Sequence, residues 1–115
     1  MSSSCIFCRI IQGEAPAQMV YQDELVSAFR DIRPVAPVHV LVVPNKHIAA
    51  LSEVTEEDQA ILGRMLLVAR RVAEQEGIAQ SGFRLIVNNG PDANQIVYHL
   101  HLHVIGGHRL RFPMG

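Results

Sequence analysis

Apolar and polar residues follow two distinct periods along this chain. Residues 98–107 read Tyr-His-Leu-His-Leu-His-Val-Ile-Gly-Gly. A period of two predicts a β-strand, with His99, His101 and His103 on one face and Leu100, Leu102 and Val104 on the other. Residues 38–43 are almost continuously apolar around a single His39, which predicts a central strand covered on both faces. Shorter strands are predicted at residues 19–22, 25–30 and 83–87. The 3.6-residue period governs residues 55–77, where Ile61, Leu62, Met65, Leu66, Val68, Ala69 and Val72 share one helical face. Thr55 suits the N-cap, Glu56, Glu57 and Asp58 put negative charge on the first turn, and Gly77 supplies the stop. Residues 5–11 predict one or two helical turns with Ile6, Phe7 and Ile10 facing inward. Pro34 and Pro37 stiffen the loop after residue 30, and Gly90-Pro91 centres a loop over residues 88–94.

These elements amount to about five strands, one long helix and one short one. Short connections between neighbouring strands predict a mostly antiparallel sheet, so the expected class is α+β. At 115 residues the chain is expected to form one domain, with tails at 1–4 and 108–115. So small a domain has limited core volume, and pairing with a second copy would bury more apolar surface.

Composition narrows the function. Net charge is −1 and charged residues make up 18%, with no basic run, so a nucleic-acid partner is not expected. No apolar run reaches the length of a membrane span, so no membrane association is expected. The first eight residues lack a basic segment and a long apolar one, so no signal peptide is expected. A cytoplasmic location, with Cys5 and Cys8 reduced, is the matching expectation.

The histidine row supports two chemistries. A His-x-His pair on a strand can hold zinc beside a third ligand and an open water position, as in a zinc hydrolase. Alternatively one imidazole attacks as a nucleophile, its second nitrogen protonated against a backbone carbonyl, with neighbouring rings facing the charge that develops. Phosphorus is a natural electrophile for such a group. Cys5-x-x-Cys8 is a second constellation. Two thiolates and two imidazoles would complete a tetrahedral zinc site, and His47 and His99 are available; two small buried hydrophobes are an equal alternative. Asp31 stands at a strand end before the proline-stiffened loop. It could accept hydrogen bonds from hydroxyls such as those of a ribose, or simply cap a turn.

Together these residues resemble the histidine triad superfamily, whose motif is matched by His99-Leu100-His101-Leu102-His103-Val104-Ile105. The resemblance covers nearly the whole chain: residues 6–10, 28–32, 36–39, 43–47, 87–88 and the closing Gly106-Gly107. The pattern is most similar to the Hint branch, the histidine triad nucleotide-binding proteins, in its zinc-binding bacterial type. The resemblance implies a homodimer whose subunits join their sheets. It implies hydrolysis of a purine nucleoside phosphoramidate or acyl adenylate through a covalent nucleotidyl-histidine intermediate. By motif match His101 is the nucleophile, and His103 and His39 surround the phosphate and leaving group. Asp31 binds the ribose hydroxyls, and Asn88 positions phosphate or His101. Ile6, Phe7, Ile10, Phe29 and Ile32 line the base pocket. One structural zinc per subunit sits on Cys5, Cys8, His47 and His99. The segment before the triad, where the family commonly has Gly-Gln-Ser or Gly-Gln-Thr, is Asn94-Gln95-Ile96 here, so leaving-group handling is expected to differ. The function classes to separate are a nucleotidyl hydrolase, a nucleotide-binding or scaffold protein with vestigial activity, and a zinc-dependent hydrolase.

Overall fold

The computed structural model describes residues 4–111; the expectations for the outermost tail residues lie outside that range. Helix α1 (Ile6–Ile11) opens the chain, followed by β1 (Met19–Gln22), β2 (Val26–Arg30) and β3 (Val38–Pro44). Helix α2 (Gln59–Gln75), β4 (Phe83–Val87) and β5 (Leu102–Gly106) complete it. The strands form one antiparallel sheet in the order β1-β2-β3-β5-β4, so the last strand inserts between β3 and β4.

Strand alternation divides the sheet into two faces. Val26, Ala28, Val38, Val40, Val42, Leu102 and Val104 point to α2 and form the main core with Met65, Val68, Ala69 and Val72. Phe29, Leu41 and Val43 point the other way and pack against Phe7 and Ile10 of α1 in a second, smaller cluster. All of β3 is buried, because it is central and covered on both faces, as its near-continuous hydrophobicity predicts.

Helix α2 is entered through a 3-10 turn, Glu56–Asp58. The Thr55 side chain caps this turn, and Asp58 Oδ2 accepts from the Thr55 N–H at 3.0 Å. Gly77, at φ 76°, ends the helix: its N–H reaches Glu74 O at 3.2 Å and the next N–H, of Ile78, reaches Ala73 O at 3.0 Å. Arg30 pairs bidentately with Glu76 at 2.7 and 3.0 Å, tying the end of β2 to the end of α2.

Three local expectations are corrected. Leu66 is exposed rather than on the core face, because the buried stripe is set by Met65, Val68, Ala69, Val72 and Ala73, one position around the helix. Ile6 is also largely exposed, since a six-residue α1 has room for only Phe7 and Ile10 beneath it. The histidine strand begins at Leu102, so His99 and His101 precede it. Pro44, next in line on β3 for pairing, has no N–H, and its carbonyl is taken by the His99 side chain instead.

Candidate active site

Four imidazoles meet at the end of the sheet's α1 face. His39 comes from β3 and His103 from β5; His99 and His101 come from the extended segment just before β5. The period-two expectation holds through this segment: Leu100 joins the main core while His99 and His101 turn toward α1. The ring centroids of His101 and His103 lie 5.0 Å apart, and those of His39 and His103 lie 5.2 Å apart.

The hydrogen-bond partners of each ring fix its tautomer. His101 Nδ1 lies 2.7 Å from the carbonyl oxygen of His99. A carbonyl only accepts, so Nδ1 carries the proton and Nε2 keeps its lone pair. His39 Nδ1 instead receives the Val35 N–H at 3.2 Å, so its proton sits on Nε2, which donates to His103 Nδ1 at 2.9 Å. His103 is left with Nε2–H, a buried donor with no partner among the described residues. Asp31 Oδ2 lies 3.4 Å from His39 Nε2, while Oδ1 accepts from the Arg33 N–H at 2.8 Å and shapes the following turn. Burial lowers the His39 pKa against the opposing charge of Asp31, and burial, helped by His101 and His39, pushes His103 down to about 4.

A cavity of about 330 Å³ opens beside His101 and His103. Phe7 and Ile10 with Phe29 form its floor; Ile6, Ile32 and Ile96 stand around it, the last two 86% and 87% exposed. Asp31, Asn88 and Asn94 are polar residues of its lining. Asn94 adopts φ 61°, ψ 36°, the left-handed conformation that glycine favours and asparagine tolerates, so it makes the turn without a glycine. Gln95 does not line the cavity. Its carboxamide is buried, accepting from the Gly90 N–H at 2.9 Å and donating to Ala49 O at 2.9 Å and Val97 O at 3.1 Å. It braces the loop that carries Asn94 and Ile96. The sequence did not point to Pro16, Ala17, Arg30, Arg33, Leu41 and Val97, which also line the cavity. Leu41 was findable, standing two residues from His39 on one strand face; Val97 and Arg33 carry no comparable signal.

The second constellation assembles too. Cys5 caps α1, and its Sγ accepts from the Cys8 N–H at 3.4 Å, bringing both sulfurs to one helix end. His47 is presented by the turn after β3, where Asn45 bonds Ser27 and Asp23, and Lys46 reaches Asp58 at 2.7 Å. The donor atoms of Cys5, Cys8, His47 and His99 lie within 4.8 Å of one another. The sulfur–nitrogen separations are 3.4 Å for Cys5–His99, 3.2 Å for Cys8–His47 and 3.5 Å for Cys8–His99. A tetrahedron with Zn–S and Zn–N bonds of ordinary length has such edges of about 3.5 Å. His99 donates Nε2–H to Pro44 O at 2.8 Å, which turns its bare Nδ1 toward the cysteines. Burial pushes its pKa down to about 4, so it is neutral and ligand-ready at pH 7. These residues fit a metal ion.

Asp31, His39 and His103 also bring three donor atoms within 4.8 Å of one another. Their hydrogen bonds oppose a metal there. An ion on His39 Nε2 would move the proton to Nδ1, where it would face the Val35 N–H, donor against donor. Val35, His39 and His103 form a directed hydrogen-bond chain, with the Asp31 carboxylate beside it.

The HIT domain family profile matches residues 12–110. The purine nucleoside phosphoramidase of Escherichia coli is 50% identical over 110 residues, 96% of this chain and 92% of that protein. Among solved structures, a HIT family hydrolase from Legionella pneumophila superposes with a TM-score of 0.93 at 45% identity, covering 97% of this chain and 100% of that one. A zinc-bound histidine triad family protein from Mycobacterium smegmatis superposes with a TM-score of 0.76 at 37% identity, covering 89% and 73%. The histidine row, its cavity and these relationships lead to one statement: the chain belongs to the HIT domain family.

Proposed function

We propose that this protein is a nucleotide hydrolase that releases a purine nucleoside monophosphate from an amine or acyl leaving group, with His101 as nucleophile. The observation that carries the reading is the His101 ring, whose Nδ1–H is held by the His99 carbonyl at 2.7 Å while Nε2 keeps its lone pair. The phosphoramidase relative supports the substrate class.

In this reading the base lies in the apolar cavity on Phe7, Ile10 and Phe29, with Ile6 and the exposed Ile32 around it, and Ile96 stands on the side of the leaving group. Asp31 accepts from the ribose hydroxyls, and Asn88 and Asn94 donate at the phosphate side. His101 Nε2 attacks the α-phosphorus, forming a P–N bond as the bond to the leaving group breaks. The buried His103 Nε2–H meets the negative phosphoryl oxygens, and His39 holds it in that orientation. The departing amine takes its proton from solvent at the cavity mouth. Water then attacks phosphorus and gives up its proton to solvent, the P–Nε2 bond breaks, and the nucleotide leaves with the lone pair restored to His101. Gln95 acts on this site through the loop it braces. The centre formed by Cys5, Cys8, His47 and His99 would hold a zinc ion whose four protein ligands leave no open position, a structural role. Thiolate ligands call for a reducing compartment such as the cytoplasm. A homodimer with a continuous sheet completes the reading, since β4 is an unpaired edge in one chain.

The test is hydrolysis of an adenosine phosphoramidate by the purified protein. Multiple turnovers with release of AMP support the reading; AMP binding with no turnover would assign the chain to the nucleotide-binding class instead.

A further inference from the structure

One residue joins the cysteine-histidine centre to the nucleophile. His99 turns Nδ1 toward Cys5 and Cys8 at 3.4 and 3.5 Å, and its carbonyl receives the Nδ1–H of His101 at 2.7 Å. A second route runs through packing. Phe7 stands between Cys5 and Cys8 on α1, and its ring meets His99 edge-on at 5.9 Å and His101 at 5.2 Å, perpendicular to the latter. Both routes start at the same four donors and end on His101.

The element that carries the cysteines is weak by itself. A helix of six residues has no independent stability, so α1 stays in place only through what it touches. It touches the small cluster of Phe29, Leu41 and Val43, and the donors His47 and His99. The larger core under α2 contains no residue of α1. Loosening α1 therefore leaves the main core intact while freeing the Phe7 contact on His101, and loss of the metal leaves the His99 ring held by Pro44 O alone.

We propose that the Cys5, Cys8, His47 and His99 centre is a positioning device for His101, so that losing its metal ion disables the nucleophile before it unfolds the protein. The proposal rests on the nucleophile role given to His101 above. His99 and Phe7 are the positioning residues. His99 holds the carbonyl that selects the tautomer, and Phe7 limits the tilt of the ring. A ligated Nδ1 pins the His99 ring between metal and Pro44 O, and so pins the carbonyl two bonds from its Cβ.

The test compares imidazole ¹H–¹⁵N spectra and turnover in the zinc-loaded protein, the chelator-treated protein, and the His47→Gln and His47→Cys variants. His47 is exposed and outside the cavity lining, so its replacement weakens the centre without altering the pocket. The loaded protein should show a protected His101 Nδ1–H. Chelation or His47→Gln should broaden or erase that signal and lower kcat at least tenfold, with the amide signals of α2 and β2 to β5 in place. His47→Cys, which supplies a fourth donor again, should keep both signal and rate. An unchanged signal and rate after metal loss would overturn the proposal, and so would collapse of the whole sheet on metal loss. The spectra need no substrate. If the signals respond as expected in a protein that hydrolyses no phosphoramidate, only the hydrolase reading falls.

Discussion

His39 Nε2 lies 2.9 Å from His103 Nδ1, and the hydrogen bond between them runs in one direction. The Val35 N–H occupies His39 Nδ1, so His39 must donate and His103 must accept. His103 is then left, in its neutral form, with a buried Nε2–H on a residue that lines the cavity. A protonated pair would place two N–H groups against each other at that distance. The pair is therefore built to stay neutral, in agreement with burial lowering both rings.

This arrangement makes stability depend on acid in a defined window. An unfolded histidine takes its proton near pH 6.5, whereas folded His103 takes one only near pH 4. Between these values the unfolded chain binds more protons, so unfolding free energy rises with pH and falls as acid is added. Urea titrations from pH 7 to pH 4.5 should show progressive loss, and His103→Asn should flatten that slope. An equal slope in the variant would show that His103 does not report the window.

His101→Ala removes the bond-forming atom rather than a binding contact. Turnover of an adenosine phosphoramidate should fall by several orders of magnitude, while AMP still binds the apolar cavity. Quenched-flow trapping of a nucleotidyl-protein adduct in the parent, absent in the variant, checks the covalent step. Near-parental turnover by His101→Ala would refute the assignment.

Ile96 is 87% exposed at the cavity mouth and brings no hydrogen-bond donor. A missing transition-state hydrogen bond costs about 1 to 3 kcal/mol, roughly ten- to a hundredfold in rate. The loss falls on leaving groups that need a proton, such as alkyl amines, and little on the carboxylate of an acyl adenylate. Ile96→Ser should thus raise kcat/KM for an alkyl phosphoramidate and leave the acyl adenylate nearly unchanged. A constant ratio between the two substrates would mean that water or Asn94 already supplies the donor.

The cysteine-histidine centre should hold one zinc per chain. Elemental analysis of protein purified under reducing conditions should give about one equivalent, released with the first equivalents of a strong chelator. A metal-free protein with the same fold would remove zinc from the account.

Gly107 has φ +105° and lies against Pro37, where an added Cβ would approach the proline Cβ to 2.8 Å. Gly107→Ala should cost about 2 to 4 kcal/mol, combining backbone strain with overpacking. Gly82→Ala is the internal comparison: its φ is +116°, with nothing within 4 Å of the new Cβ. It should carry the strain alone and unfold at a higher urea concentration than Gly107→Ala.

Period and spacing alone determined much of this molecule. The alternation through residues 99–104 placed Leu100, Leu102 and Val104 in the core and the histidines opposite, because successive strand side chains point to opposite faces whatever the sheet does. The unbroken apolar run of β3 announced a strand covered twice. Thr55, Asp58 and Gly77 marked the ends of the α2 region, since caps act over a few residues. Tertiary structure decided the rest, because it turned on partners distant in the chain. Which histidine nitrogen carries a proton depends on Pro44 O, His99 O and the Val35 N–H. The separation of a metal-type centre from a proton relay follows from those bonds and not from residue type, as both groups contain two histidines beside acidic or thiol donors. Leu66 and Ile6 read as core from periodicity, yet the buried stripe of α2 runs one position around and the short α1 buries only Phe7 and Ile10. Gln95 reads as a ligand residue, yet its buried carboxamide is taken up by three backbone groups, Gly90 N–H, Ala49 O and Val97 O.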